Sequence, residues 1–188
     1  MATAMRERRR FTLEEYHRMG AAGILDEGER VELVEGEIVE MAPIGRVHAS
    51  VVARLTKLFG ARFADRAIVW VQNPVSLPQQ GSEFQPDLAL LKPRADFYRD
   101  EAVGSEDTLL VVEVMDSSVA YDRHVKLPIY ARAGATEVWL IDVNASTVEV
   151  HREPTATGYR DRRVVERTGS LAPLAFPEVS LRVRELLG

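Results

Sequence analysis

The segment Thr108-Leu-Leu-Val-Val-Glu-Val-Met115 constrains this chain more than any other. It is the most apolar strand-like run in the sequence, and one carboxylate, Glu113, stands inside it among apolar neighbours. An ionised carboxylate is costly to bury there unless a metal, a cation or hydrogen bonds compensate it. Two readings of Glu113 are open: a strand-end glutamate paired with an arginine, or a ligand for a metal.

The elements around this strand give the fold class. Thr12 to Ala22 reads as a helix, with Thr12 as cap, Glu15 three residues later as in a capping box, and Gly23 as its stop. Val31 to Val34 and Glu37 to Met41 read as a hairpin around Glu35-Gly36. After the break at Pro43 to Gly45, a second helix runs from about Val47 to Ala64, with His48, Val51, Val52, Leu55, Leu58 and Phe59 on one buried face. Strand signals follow at Ala67 to Val71, Val75 to Leu77 and Asp87 to Leu91, then the polar excursion Lys92 to Asp107, then the Glu113 strand. Val119 to Ala133 reads as a third helix ended by Gly134, although Pro128 is unexpected inside it. Glu137 to Asp142 and Thr147 to His151 form a late hairpin, Arg163 to Glu166 a weak strand, and Leu181 to Leu187 a closing helix. This order is that of an α/β sandwich, a mixed β-sheet flanked by helices.

With 188 residues, 46% hydrophobic and 28% charged, the chain fits one globular domain able to bury about 70% of its unfolded surface. We read residues 1–10 as a basic arm and 11–188 as that single domain; no repeat or linker divides it. The absence of cysteine excludes disulfides, thiolate zinc sites and cysteine nucleophiles, so any metal must be held by oxygen and histidine ligands. No apolar run is long enough to span a bilayer and the first ten residues lack a signal-peptide core, so a cytoplasmic location is expected. The net charge of −5 argues against broad electrostatic coating of nucleic acid but leaves room for an enzyme that gathers acids at a metal site.

Four other residues are candidates, each with a plainer alternative. Asp87 follows Pro86 at the mouth of an apolar strand; it is either a turn aspartate or, with Glu113, the second carboxylate a hard divalent cation needs. Lys126 shares a helical stripe with Asp122 and Tyr130, which by itself reads as an exposed Asp122–Lys126 pair. His48 lies on the apolar face of its helix, where a histidine is commonly a satisfied core residue. Glu32 alternates within Val31-Glu-Leu-Val34 and reads most simply as solvent-facing.

Taken together these pieces resemble the Uma2 family of endonucleases, a branch of the PD-(D/E)XK, restriction endonuclease-like superfamily. The carrying segments are Glu32-Leu-Val-Glu-Gly36, His48, Pro86-Asp87, Val112-Glu-Val114, Asp122 with Lys126 and Tyr130, and Gly134-Ala-Thr-Glu-Val-Trp-Leu-Ile-Asp142. The match runs from about Phe11 to Tyr159. The resemblance implies that Asp87 and Glu113, with a backbone carbonyl near Val114, hold Mg²⁺ or Mn²⁺ for hydrolysis of DNA phosphodiesters. It further implies that Lys126 replaces the lysine that the wider superfamily carries two residues after the second acid, a position filled here by Met115. Glu32 and His48 complete the implied pocket, and Asp116 stands where the family usually has serine. A homodimer is expected, as for many enzymes that cut both strands, with specificity from the loop Lys92 to Asp107. The competing expectations are a non-catalytic nucleic-acid-binding or protein-interaction module with the same fold, and a hydrolase of some other phosphodiester.

Overall fold

Thr12 starts the first helix, α1 (Leu13–Ala21): its hydroxyl accepts from the Glu15 N–H while the Glu15 carboxylate accepts from the Thr12 N–H. These details belong to a computed structural model, which describes residues 8–26 and 28–188. Most of the basic arm expected at residues 1–10 therefore lies outside the described residues. Gly23 closes α1 at φ +69°, as its position suggests. Strands β1 (Val31–Val34) and β2 (Glu37–Glu40) form the expected hairpin. Glu35 and Gly36 both turn through positive φ, and a Cβ on Gly36 would come within 2.6 Å of Arg10 Cβ.

Helix α2 (Arg46–Phe63) buries Val51, Val52, Leu55, Phe59 and Phe63, the face its apolar spacing defines. Then come β3 (Ile68–Trp70), β4 (Val75–Leu77), β5 (Ser82–Phe84), β6 (Leu88–Leu91) and β7 (Thr108–Met115). The helical segment 119–132 is α3 (Val119–Tyr121), a π-turn (Asp122–Lys126) and α4 (Leu127–Arg132). The chain continues through β8 (Glu137–Asp142), β9 (Thr147–Thr155), β10 (Gly158–Glu166), β11 (Ser170–Leu171), β12 (Leu181–Arg182) and α5 (Val183–Leu187).

The main sheet has the order β10-β9-β8-β7-β6-β3 and is mixed: β7 and β8 are parallel, and its other neighbours are antiparallel. The parallel pair requires a crossover, which the helical segment 119–132 supplies. A smaller sheet, β2-β1-β5-β4, is built from the two early hairpins. β7 is buried on both faces. Leu110, Val112 and Val114 pack with Phe59, Phe63 and Trp139 in one core, while Val111 and Met115 pack with Phe84, Ile129 and Tyr130 in another. This explains why the run is apolar throughout and not alternating. Glu113 shares strand parity with Val111 and Met115, so it points toward the second core.

Some expectations at the edges of elements change. β5 was not evident, because Ser-Glu-Phe carries no alternation of its own and becomes a strand by pairing with β1 and β4. The expected strand Arg163 to Glu166 extends to Gly158–Glu166, in register with β9. The closing helix Leu181 to Leu187 gives its first two residues to β12.

Candidate active site

Where β6 begins and β7 ends, Leu88 pairs with Val112 and the backbone ladder then runs out. Asp87 takes over: its Oδ2 accepts from the Val114 N–H at 2.9 Å and from His48 Nε2 at 2.9 Å. Its Oδ1 accepts from Gln72 Nε2 at 3.2 Å. Asp87 is thus more than a strand-start turn residue. Gln72 was not foreseen; it sits outside any strand at φ +49°, in a loop with no periodic signal.

Glu113 lies in the same cleft, which has a volume of about 470 Å³ and is lined by all five sequence candidates, Glu32, His48, Asp87, Glu113 and Lys126. Glu113 Oε1 accepts from Tyr130 OH at 2.8 Å and from Lys126 Nζ at 3.3 Å. Lys126 Nζ also donates to Glu32 Oε1 at 2.9 Å, and the same oxygen accepts from the Gln85 N–H at 2.8 Å. Two of the plainer readings are therefore overturned. Glu32 is not solvent-facing but 2% exposed, because the β1 face that would meet water is covered by the 119–132 segment. Lys126 is not half of a surface pair but 4% exposed, bridging two buried glutamates. The arginine partner considered for Glu113 is this lysine instead.

The π-turn brings Lys126 there. The Leu127 N–H donates to the Asp122 carbonyl five residues back, widening the helix just before Pro128. A regular α-helix would press the Pro128 ring against the His124 carbonyl, so the wide turn accommodates the proline and keeps the helix going. Asp122, Lys126 and Tyr130 are all buried on the cleft side, as their stripe implies. Arg123 faces away and anchors the turn to the main sheet, donating to Glu149 Oε1 at 2.7 Å and Asp142 Oδ2 at 3.0 Å.

One ammonium serves a crowd of acids. Burial pushes Glu113 up to about 8 against the pull of Lys126, with Asp122, Asp87 and Glu32 adding to the rise. Burial alone would lower Lys126, but Glu113, Glu32 and Asp122 outweigh it and hold the amine charged well above its ordinary range. Burial raises Asp122 as well, opposed by Lys126 and by the Ser118 hydroxyl. The Asp87 hydrogen bond raises His48, with burial opposing. Burial pushes Tyr121, on the cleft wall, up to about 12, with Glu32 acting the same way. The Tyr121 hydroxyl and His48 Nδ1 are buried with no hydrogen-bond partner among the described residues.

A divalent cation fits this chemistry. Among the described residues no three acids or histidines form a complete cage, but Mg²⁺ characteristically takes one or two carboxylates and retains water. Among the described residues Glu113 Oε2 has no hydrogen-bond partner, and Asp87 Oδ1 has only the long contact from Gln72. Four buried acidic side chains (Glu32, Asp87, Glu113 and Asp122) share the cleft with Lys126, His48 and Arg30, and a bound cation would favour their ionised forms. The loop Lys92 to Asp107, expected to shape specificity, does not line the cleft; residues 41–45 and 116–118 form its mouth.

Comparison with known proteins agrees with this architecture. The Uma2 family, described as "Putative restriction endonuclease", matches residues 13–184. The chain is similar to a solved structure from Anabaena variabilis described as "a putative nuclease belonging to DUF820", with a TM-score of 0.71 and 16% identity. The likeness covers 94% of this chain and 97% of that one. Among curated proteins none matches.

Proposed function

The chain belongs to the Uma2 family, described as "Putative restriction endonuclease", and from this premise we propose that it is a divalent-metal-dependent endonuclease hydrolysing phosphodiester bonds in DNA. The observation that carries this reading is the meeting of Asp87, Glu113, Glu32, His48 and Lys126 in one cleft. Asp87 and Glu113 are the residues to hold Mg²⁺ or Mn²⁺. When bound, such a cation would supply positive charge to the phosphoryl oxygens and a more acidic water.

The protein's own groups have separable parts in this scheme. Lys126, held charged by its acidic neighbours, cannot serve as a base; it stabilises negative charge as water adds to phosphorus and the ester oxygen departs. Glu32 fixes the ammonium from the other side at 2.9 Å. His48 orients Asp87 through Nε2 and leaves Nδ1 available to a proton at the reacting centre. Tyr130 holds Glu113 by Oε1, so that Oε2 is the oxygen directed to a ligand. A symmetric dimer would carry two such sites.

The test joins binding to turnover. Mg²⁺ or Mn²⁺ should raise the melting temperature, bind measurably by calorimetry, and support cleavage of plasmid or oligonucleotide DNA; Glu113→Gln should lose all three. Equal metal binding by wild type and Glu113→Gln would remove this site. Metal binding without hydrolysis of any DNA would leave the fold in a non-catalytic role.

A further inference from the structure

Resting on the nuclease reading above, we infer that this cleft admits its substrate as a single unpaired strand, one nucleotide lying against the 41–45 loop, and not as an intact duplex. The first observation is depth. Asp87, Glu113, Glu32 and Lys126 all line the cleft, and each is at least 92% buried. Its volume of about 470 Å³ lies in the range that encloses one small molecule. A phosphate that stays in a paired, stacked helix cannot descend to these groups without the rest of the duplex meeting the rim.

The rim is narrow. A Cβ placed on Gly45 would lie 3.1 Å from Asp116 Oδ2, so the 41–45 loop and the segment after β7, which both line the cleft, are in close approach. The loop is braced from beneath by Arg30, whose guanidinium donates to the Ala42 carbonyl at 2.9 Å. A bulkier passage would have to break that contact. A splayed strand, one backbone wide, would not.

Charge and polarity agree. Six acidic side chains line the cleft against two permanent cations, Arg30 and Lys126. A duplex, with twice the phosphate density of a single strand, is the worse match to that field. Two apolar side chains stand exposed beside these groups: Ile44, on the loop that lines the cleft, is 46% exposed, and Val47, next to the lining in the first turn of α2 beside His48, is 57% exposed. Exposed aliphatic side chains next to buried reactive groups are suited to covering the face of an unstacked base, and aliphatic wedges of this kind part base steps in other DNA-binding proteins. Arg30 is placed to meet the adjoining phosphate.

The experiment uses the whole protein with a fluorescein-labelled DNA strand and with the same strand in a blunt duplex. Binding is read by fluorescence anisotropy in Ca²⁺, and hydrolysis in Mg²⁺ or Mn²⁺. The single strand should bind and be cut at least about tenfold better, since a duplex must first unpair. Ile44→Ser with Val47→Ser should erase that preference while leaving the melting temperature unchanged, both side chains being exposed. Equal or faster cleavage of the duplex overturns this inference and leaves the proposed function standing. Preferential binding of the single strand with no hydrolysis supports the inference and removes the proposed function. Binding of neither DNA, or a double variant that keeps the full preference, overturns the inference.

Discussion

Replacing Glu113 by glutamine tests whether this carboxylate is held for a ligand or for the fold. The unfolded chain releases its proton near 4.5, whereas burial delays release in the native state to about 8. Between these values the native protein binds a proton that the unfolded chain has lost, so stability falls as pH rises, and the loss is complete above about pH 8. At about 1.36 kcal/mol per pH unit the deficit reaches about 3 kcal/mol at pH 7 and about 5 kcal/mol above pH 8. Glutamine removes the titration yet keeps an oxygen for Tyr130 and Lys126, whose bonds to Glu113 both end on Oε1. Allowing about 1 kcal/mol for a buried amide that is less well paired, Glu113→Gln should be about 2 kcal/mol more stable than wild type at pH 7. It should be indistinguishable from wild type or slightly weaker near pH 4.5. Urea unfolding from pH 4.5 to 9 in EDTA measures this, and saturating Mg²⁺ should restore wild type but not the variant. A variant several kcal/mol less stable at pH 7, by an amount that does not change with pH, would refute the reasoning. Glu113 would then be an ionised partner that the Lys126 pair keeps for stability.

The remaining predictions concern Lys126 and His48. Lys126→Ala should cost about 3 kcal/mol or more, because it removes the one ammonium shared by the buried Glu32 and Glu113 and leaves both without that donor; a loss under about 0.5 kcal/mol in a denaturant melt would restore the exposed-pair reading. Lys126→Arg should fold poorly and stay inactive, since a planar guanidinium does not fit the place of a compact ammonium between Glu32 and Glu113. His48 should titrate above the ordinary histidine value, its link to Asp87 stabilising the fold fully below about pH 6.5 and fading as pH rises through the raised value. Proton NMR of the His48 ring should show this, with Asp87→Asn bringing the titration down; an unchanged midpoint would contradict the 2.9 Å contact.

What was legible in the sequence was whatever depends on local pattern. The capping box at Thr12, the Glu35-Gly36 turn, the apolar face of α2 and the anomaly of Glu113 within Thr108–Met115 follow from neighbours in the chain, so the α/β class could be read directly. The candidate acids were legible as oddities, because a carboxylate among Leu and Val stands out wherever the strand goes. Tertiary structure decided which of them face each other. Glu32 and Lys126 are 94 positions apart, and alternation or helical spacing reports only which side a residue takes, not what covers that side. The 119–132 segment packs over β1, which turned an expected surface glutamate and an expected surface lysine into a buried pair. Gln72 and the narrow mouth at Gly45 and Asp116 are likewise products of loops meeting across space. Their positions are set by the packing of distant elements, which leaves no period in the sequence to read.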